Sequence, residues 1–453
     1  MSEKKNVPKL RFPEFTEPWE QRKLKNILVS LQNNTLSRAD LSNETGVAKD
    51  VHYGDVLIKF GEVLDISKEK LPMITDEKVL TKYKTSFLQN GDVVVADTAE
   101  DTTVGKCSEI AELNDEVVIS GLHTIPYRPV EKFATGYLGY YLNSDSYHNQ
   151  LIPLMQGIKV TSISKSAMQD TNIIYPNSKE EQAKIGKYFI TLDNLITLHQ
   201  RKLDHVKDLK KSMLQKMFPK NGQLYPEVRF PEFTDAWEQR KWIDTVDIST
   251  EMVDPTSGEY DDMPHIAPGN IESFTGRILD NVKTVKEEQL ISGKFRFRPN
   301  DVVYGKINPQ LGKYFYSCVN GLTSADAYVF NGKHGITQKF LFALLQTSDF
   351  FKYSVSVSKR SGMPKINRDE LNAYVFLAPR EEEQDKIGSF LLNIDHLITL
   401  HQRKLGAINL TNAIVLFDNG YNPALACELI ILKGVLTYAK HHYQKQHVIL
   451  RLL

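Results

Sequence analysis

The chain has 453 residues, which is long enough for about three domains that each bury a core of their own. Its 56 basic and 56 acidic residues balance, so the composition argues against a uniformly basic nucleic-acid coat. Any DNA affinity must therefore come from local clusters. Cys107, Cys318 and Cys427 have no metal-ligand spacing and predict reduced thiols in a cytoplasmic protein. No segment has the pattern of a secretion signal or a membrane span.

In chain order, short β-rich runs come first, at Gly91–Asp97 and Asn114–Tyr127, and a helical patch follows at Tyr137–Tyr147. Apolar residues between Leu192 and Phe218 recur at spacings of three and four and predict a coiled-coil helix, with one interruption at Lys210. Such a helix is about 40 Å long. Prolines and a glycine after it predict a linker.

The second half of the chain repeats this order of elements. Asn300–Lys306 and Asn372–Pro379 are β-rich runs, and Gln338–Phe351 has a helical pattern between them. Gly, Asn and Pro residues interrupt these short runs, and this pattern predicts a mixed α/β domain in each half of the chain.

The ends of the two halves share nearly identical motifs. RFPEFT occurs at Arg11–Thr16 and at Arg229–Thr234, 218 residues apart (229 − 11), and WEQRK follows each copy. LITLHQRKL occurs at Leu195–Leu203 and at Leu397–Leu405, 202 residues apart (397 − 195). The sequences between these ends hardly align. A tandem duplication therefore carries two different inserts on one scaffold.

Motifs for catalysis are absent from the sequence. There is no GxxxxGK[ST] loop for ATP, no GxGxxG for a dinucleotide and no HExxH among the twelve histidines. There is also no Asp/Asn-Pro-Pro-Tyr/Phe tetrad, which would orient an amino group for methyl transfer. We therefore predict a non-catalytic chain without catalytic residues or a metal site of its own.

Basic and polar residues on Gly/Pro loops are the candidates for DNA contact. Lysine and arginine neutralise phosphates, and Asn and Gln amides can read adenine edges. The alternative interpretation is a solvated surface loop. The candidates within Ser292–Lys313 are Lys294, Arg296, Arg298, Tyr304, Lys306, Asn308, Gln310 and Lys313. The first half offers Lys106, whose signal is weakened by Glu100 and Asp101.

A second loop precedes each closing helix, at Met155–Ser164 and at Lys359–Asn367. Both loops combine glycine, lysine and small hydroxyls, so they are either turns entering a strand or loops that face nucleic acid. Their candidate residues are Lys159, Thr161, Lys359, Arg360 and Lys365. The acidic EEQ motifs that open the closing helices suit a helix N-terminus and need no further role.

The duplicated end motifs, together with the YGKINPQLGK and SGMPKIN loops, resemble the specificity subunit of Type I DNA restriction-modification enzymes over residues 7–405. The resemblance implies an α+β fold with two tandem α/β target recognition domains, each followed by a long coiled-coil-type helix. The two helices would pair antiparallel in a pseudo-two-fold arrangement. The domains would read the two halves of an asymmetric, bipartite target in double-stranded DNA. The helix length corresponds to about one turn of B-DNA between half-site centres.

The resemblance also implies partners and domain boundaries. Two modification (methyltransferase) subunits would dock on the helices, restriction (translocase/nuclease) subunits would join them, and these partners would use S-adenosylmethionine, ATP and Mg. The candidate docking and spacer residues are Leu195, Leu198, Leu203, Val206, Leu397, Leu400 and Leu405. The predicted boundaries are 1–180 and 229–382 for the recognition domains, 181–220 and 383–405 for the helices, 221–228 for a linker and 406–453 for a tail.

The tail departs from the family pattern. After the second LITLHQRKL, Gly406 replaces the lysine-rich continuation of the first copy, which predicts that the second helix is shortened. The apolar stretch Leu429–Leu436 could add an association surface. Two other functions stay open: an inactive or regulatory DNA-binding scaffold, and a self-sufficient restriction or methylation enzyme, which would need the absent tetrad.

Overall fold

A computed structural model of the chain describes residues 7, 8, 10–220, 222–359 and 362–417. These residues form two compact units. Unit 1 comprises the described residues up to Thr197 and from Gly406 onward, and unit 2 comprises Leu198–Leu405. Arg360, Cys427 and the predicted apolar stretch of the tail lie outside the described residues. No helix among the described ranges combines the length and apolarity needed to cross a membrane.

Unit 1 is a mixed α/β unit of short strands. Its strands are β1 Glu20–Lys23, β2 Leu28–Ser30, β3 Leu41–Ser42, β4 Ala48–Val51, β5 Val63–Asp65, β6 Met73–Ile74, β7 Val93–Ala96, β8 Thr98–Ala99, β9 Cys107–Ala111, β10 Val118–Ser120, β11 Thr124–Pro129, β12 Thr161–Ser162 and β13 Asn172–Tyr175. Its helices are α1 Leu24–Ile27, α2 Tyr53–Ile58, α3 Lys78–Lys82, α4 Tyr137–Asn143, α5 Asp145–His148, α6 Lys165–Gln169 and the long α7 Lys179–Lys216, which continues into unit 2.

The central sheet of unit 1 explains why GDVVVAD is apolar throughout. The sheet has the strand order β2-β11-β7-β9-β5, and β7 lies in the middle with antiparallel neighbours on both sides. Val93 and Val95 face one hydrophobic core, whereas Val94 and Ala96 face another. A strand that is buried on both faces needs apolar residues at every position. A second sheet has the order β10-β4-β6-β3.

Unit 2 has the same kinds of element. Its strands are β14 Glu238–Lys241, β15 Val246–Ile248, β16 Met252–Val253, β17 Pro264–His265, β18 Lys283–Thr284, β19 Lys294–Phe297, β20 Val302–Gly305, β21 Tyr314–Tyr316, β22 Gly321–Thr323, β23 Ala327–Gly332 and β24 Val375–Ala378. Its helices are α8 Trp242–Thr245, α9 Gln338–Leu345, α10 Ser348–Val357, α11 Arg368–Asn372 and the long α12 Glu381–Phe417. The sheets have the orders β15-β23-β20-β21 and β16-β19-β22-β17-β18.

The duplicated end motifs bind each other within each unit, in an arrangement that we call the end clamp. In unit 1, Arg11 of RFPEFT makes two hydrogen bonds of 2.6 and 2.8 Å to Glu181, and Glu14 accepts from Lys184. The clamp of unit 2 joins Arg229 to Glu383, at 2.8 Å for both bonds, and Glu232 to Lys386 in the same way.

The carboxylates at the centres of the clamps, on Glu181 and Glu383, are each 1% exposed. Their role as buried partners of arginine goes beyond the helix N-terminal role that the sequence predicted. Beside each clamp, the EQRK strand pairs antiparallel with the strand that precedes the long helix, β1 with β13 and β14 with β24.

The two long helices begin two residues before the predicted boundaries, at Lys179 and Glu381. The first ends at Lys216, before the predicted residue 220, and the second ends later than predicted. α7 spans 38 residues and α12 spans 37. The prediction that Gly406 shortens the second helix was wrong, because α12 continues to Phe417. A glycine inside a helix costs only about 1 kcal/mol. Burial of Leu405 and Ile408, which are 7% and 5% exposed, supports the turns on both sides of this glycine.

Within unit 2, the end of α7 and the middle of α12 make two specific contacts. The Nδ1 atoms of His199 and His401, equivalent residues of the two LITLHQRKL copies, are 3.2 Å apart. Lys210, which interrupts the apolar seam, is 7% exposed and forms an ion pair with Asp395. The interruption in the sequence pattern is therefore a buried cation with a carboxylate partner.

Candidate nucleic-acid interface

In unit 2, two loops that are far apart in sequence lie side by side. The loop after β20 donates from Asn308 N to Pro364 O at 2.7 Å, and Ile366 N donates to Lys306 O at 3.0 Å. Ile307 and Lys365 form the β-bridge between these bonds. We call Lys306–Lys313 and Gly362–Ile366 the loop pair of unit 2. Both loops were candidates from the sequence, and the fold brings them together.

Local geometry exposes the polar tip of the first loop. Asn308 has φ +50°, a left-handed conformation that asparagine tolerates better than most residues. A 3₁₀ turn over Pro309–Leu311 follows, and Gln310 is exposed there, with its Nε2 3.3 Å from Asn308 Oδ1. The two amide side chains therefore stand next to each other at the tip of the loop, where they have the chemistry to read base edges.

Cations surround this loop pair. Lys365 is exposed, and Lys306 and Arg368 lie over the ring of Tyr328, with distances of 5.1 and 5.8 Å from its centroid. Partial burial lowers the pKa of Lys306, and the positive charges of Lys365 and Arg368 act in the same direction, against the opposing effect of Asp326. A cluster of cations whose charges oppose one another is a favourable place for a phosphate. Arg368 was not among the sequence candidates, although it directly follows the second loop.

Several other candidates of unit 2 already have partners inside the protein. Arg298 makes two bonds to Glu251, of 2.7 and 2.8 Å, and Arg296 is 3.9 Å from the same carboxylate. Lys294 is 7% exposed and donates to Ser292. Lys294 and Arg296 belong to β19 and Arg298 directly follows it, in a different sheet from the strand that leads into the loop pair.

Three further candidates of unit 2 have different surroundings. Tyr304 is 2% exposed and packs against the rings of Phe330 and Phe350, so its place in the core rules out direct contact with DNA. Lys313 donates to the carbonyl of Ile271. Lys359 is exposed near the second loop.

Unit 1 has a loop pair in the corresponding position. The segment after β7, Asp97–Ala99, pairs antiparallel with Thr161–Ser162, and Ile163 N donates to Asp97 O at 2.9 Å. Lys159 is exposed on this second loop, and Thr161 is half-buried in the pairing. Lys106 donates to Leu57 O at 2.9 Å and so stabilises the fold of unit 1.

A polar cleft of about 490 Å³ borders the loop pair of unit 1. Its lining includes Gln32, Asn33, Asp97, Thr124 and Lys165. Gln32, Asn33 and Lys165 were missed from the sequence because they come from separate segments, with no basic run or motif to connect them. The described residues contain no group of three or more His, Cys, Asp or Glu placed to hold a metal ion.

Comparison with known proteins identifies the family. A family described as "Type I restriction modification DNA specificity domain" matches residues 16–208 and 235–410, which together are more than half of the chain. The chain belongs to this family. The resemblance predicted from the end motifs is thereby confirmed, and both loop pairs lie within the matched residues.

Individual relatives carry the same description. The chain is 26% identical to the Type I restriction enzyme EcoDI specificity subunit of Escherichia coli over 257 residues, 51% of this chain and 56% of that protein. It is 26% identical to the Type I restriction enzyme MjaVIII specificity subunit of Methanocaldococcus jannaschii over 271 residues, 55% and 61% of the two chains. The chain therefore spans less than two thirds of the length of these curated relatives. Both are named specificity subunits, the kind of subunit that the end motifs resemble.

A solved structure supports the fold. The crystal structure of a Type-I restriction-modification system S subunit from M. genitalium matches with a TM-score of 0.58 and 11% identity, over 90% of this chain and 98% of that one. At this identity the likeness concerns the fold alone. Two tandem units of mixed helix and strand content are thus an arrangement that this S subunit shares.

The predicted docking residues of the long helices differ in exposure. Leu203 and Leu405 are buried, and Leu195, Val206 and Leu397 are half-buried. Leu198 and Leu400, which are equivalent residues of the two LITLHQRKL copies, are 45% and 37% exposed. Both exposed leucines belong to unit 2.

Proposed function

We propose that this chain is the sequence-specific DNA-binding subunit of a Type I restriction-modification complex, and that its two loop pairs read the two halves of an asymmetric, bipartite target. One observation carries the proposal. Both units place a loop pair after the corresponding central strand, β7 or β20, yet the two pairs have different side chains. The same position with different chemistry is what two unrelated half-sites require.

The side chains suggest a division of labour between phosphate and base contacts. In unit 2, Lys306 and Lys365 would bind phosphates, and Arg368, which donates to Ile248 O and Ser249 O, would add positive charge beside them. Asn308 and Gln310 would read base edges. In unit 1, the exposed Lys159 and Lys165 would bind phosphates beside the polar cleft, and Thr161 would support the second loop. Arg296 and Arg298 are left out of this set because they are paired with Glu251.

The long helices would act as spacer and dock. The contacts of His199 with His401 and of Lys210 with Asp395 support the antiparallel pairing that the resemblance implies, because the residue numbers rise along one helix as they fall along the other. Leu198 and Leu400 would present equivalent apolar contacts to two modification subunits. S-adenosylmethionine, ATP and Mg would be used by the modification and restriction subunits, and the assembled complex would act on DNA in the cytoplasm.

The alternative of an inactive or regulatory scaffold rested on the divergent C-terminal tail. α12 extends to Phe417, so the start of this tail does not shorten the second helix, and residues 418–453 lie outside the described residues. No observation on the described residues favours this alternative over the specificity subunit.

The decisive experiment is to co-express the chain with a candidate modification subunit and to map methylated positions on DNA by single-molecule sequencing. Methylation at one asymmetric, interrupted motif is expected. A complex that forms without methylating DNA would contradict the proposal, and failure to form any complex would favour the inactive scaffold.

A further inference from the structure

Both loop pairs project large apolar side chains into solvent. The most exposed are Ile158 in unit 1 and Met363 in unit 2, while Val160 and Leu311 are 54% and 44% exposed. Ile158 is 101% exposed, and Met363 is 66% exposed. They occupy corresponding places in the second loops of the two units, each directly after a glycine and ahead of the strand segment that pairs with the first loop. An isolated exposed apolar residue needs no explanation, but two at matching places in otherwise dissimilar loops do.

The backbone holds both side chains outward in the same way. Gly157 has φ +113° and Gly362 has φ +104°, a region that residues with a Cβ rarely adopt. At Gly157 an added Cβ would lie 2.0 Å from Val160 O, so the turn closes tightly behind Ile158. Gln156 and Ser162 are bridged at the base of the same turn, with N–O distances of 2.9 and 2.8 Å. The loop of unit 1 therefore presents its apolar tip on a hydrogen-bonded base.

The surroundings of the tips indicate their partner. Lys159 follows Ile158 directly, and Lys365 lies two residues after Met363; both lysines are exposed. An apolar side chain beside a cation suits a duplex, where the phosphates meet the lysine and the stacked bases offer an apolar surface. Isoleucine and methionine are among the side chains that proteins insert between base steps.

We propose that Ile158 and Met363 are apolar wedges, each of which enters one base step of the half-site read by its unit and partly unstacks it. The wedges add a readout of DNA deformability to the contacts of the loop pairs, because a flexible step is opened at lower cost than a stiff one. This inference rests on the proposed function and assigns a further pair of specificity-determining residues to it.

The test uses the complete complex with its modification subunit. The methylation map of the unchanged protein comes first, because it reports on the proposed function independently of the wedges. Ile158→Ser and Met363→Ser are then compared on the mapped target, in which 2-aminopurine replaces one adenine at a time. We expect enhanced 2-aminopurine fluorescence at one step in each half-site, and we expect each variant to lose the signal in its own half-site only.

Binding measurements give a second readout. Each variant should bind the target about tenfold more weakly, with an unchanged salt dependence because no charge is removed. Matched controls are Val130→Ser and Ile243→Ser, which are 63% and 51% exposed. Val130 follows β11 at the end opposite the β7 loop. Ile243 lies in α8, which leads into β15, and β15 pairs at the matching end of β23. Both controls should behave like the unchanged protein.

Three outcomes would contradict the wedge proposal even when the methylation map shows the expected bipartite target. One is that Ile158→Ser and Met363→Ser leave the 2-aminopurine fluorescence unchanged. Another is an equal loss of binding in the controls. The third is loss of the modification subunit from the Ile158→Ser or Met363→Ser complex, which would identify the tips as protein contacts.

Discussion

The loop pairs of the two units share a position in the fold but differ in charge. Lys306, Lys365 and Arg368 cluster in unit 2, whereas the first loop of unit 1 begins at Asp97 and continues through Glu100 and Asp101. The end clamps show the opposite relation, since the arginine, both glutamates and the lysine recur in both units. Duplication has therefore preserved the contacts that close each unit and left the loops free to diverge.

The end clamps should give the largest effects. Arg229→Ala leaves Glu383 buried without its cation, and we expect the free energy of unfolding of unit 2 to fall by about 3–5 kcal/mol in urea denaturation. Arg11→Ala should cost less, because Trp19 Nε1 still donates to Glu181 at 3.1 Å. If Arg11→Ala lowered the free energy of unfolding more than Arg229→Ala does, this explanation would be wrong.

Two further variants complete the clamp test. Arg22→Ala removes an arginine whose side chain is 50% exposed and should leave the stability close to that of the unchanged chain. The pair Arg229→Met with Glu383→Leu should recover most of the stability lost in Arg229→Ala, because no buried charge is then left unpaired.

Leu198 and Leu400 test whether the two long helices bind the same kind of partner subunit. Leu198→Asp combined with Leu400→Asp should weaken binding of the modification subunit about hundredfold, which corresponds to loss of about 3 kcal/mol of apolar contact. Analytical ultracentrifugation of the mixed proteins measures this. Leu224→Asp, at a linker leucine that is 46% exposed, is the control and should leave binding intact. Equal binding by the double variant would remove these residues from the proposed dock.

The histidine pair predicts a stability that depends on pH. Burial lowers the pKa of His401 to about 4, with His199, Lys404 and Lys202 acting in the same direction, and burial also lowers the pKa of His199. The unfolded chain takes up these protons near pH 6.5. The contribution is therefore present above pH 6.5 and is lost as the pH falls from about 6.5 towards 4. We expect a loss of about 1–2 kcal/mol, since both rings are partly exposed.

The pH effect is measured as the urea midpoint between pH 7.5 and 4.5. His401→Asn should flatten the dependence, whereas His396→Asn, at an exposed histidine of the same helix, should leave it unchanged. Identical pH profiles for His401→Asn and the unchanged chain would mean that the pair does not couple to folding.

The smallest effects concern the charge difference between the loop pairs. Lys306→Gln with Lys365→Gln should lower the salt slope of DNA binding by about 2, and Lys159→Gln should lower it by about 1. Fluorescence anisotropy at several salt concentrations gives both slopes. Arg380→Gln, which removes an exposed cation paired with Asp235, is the control. If the loop variants and Arg380→Gln had equal salt slopes, DNA would bind to a surface other than the loop pairs.

Much of the architecture could be predicted from the chain alone. Residues of β7 and β20 have the β-rich signature, the long helices have the apolar spacing, and the repeated ends mark two units, because each of these patterns is local in sequence. The sequence could not show which candidates have a distant partner. Arg298 lies in a basic run typical of DNA-binding residues, and Glu251, 47 residues away, accepts two hydrogen bonds from it. Tyr304 was misjudged for a similar reason, since its burial depends on Phe330 and Phe350.

The sequence by itself determined the family, the duplication and the two loops of each unit that are candidates for DNA contact. Motif identity and hydrophobic spacing carry that information without reference to any long-range contact. Only the tertiary structure decided that the end motifs close each unit through buried ion pairs and that the candidate loops lie side by side. It also decided which of the candidate cations have partners inside the protein. Those properties depend on residues up to 170 positions apart, as Arg11 and Glu181 are, and such pairs meet only when the chain folds.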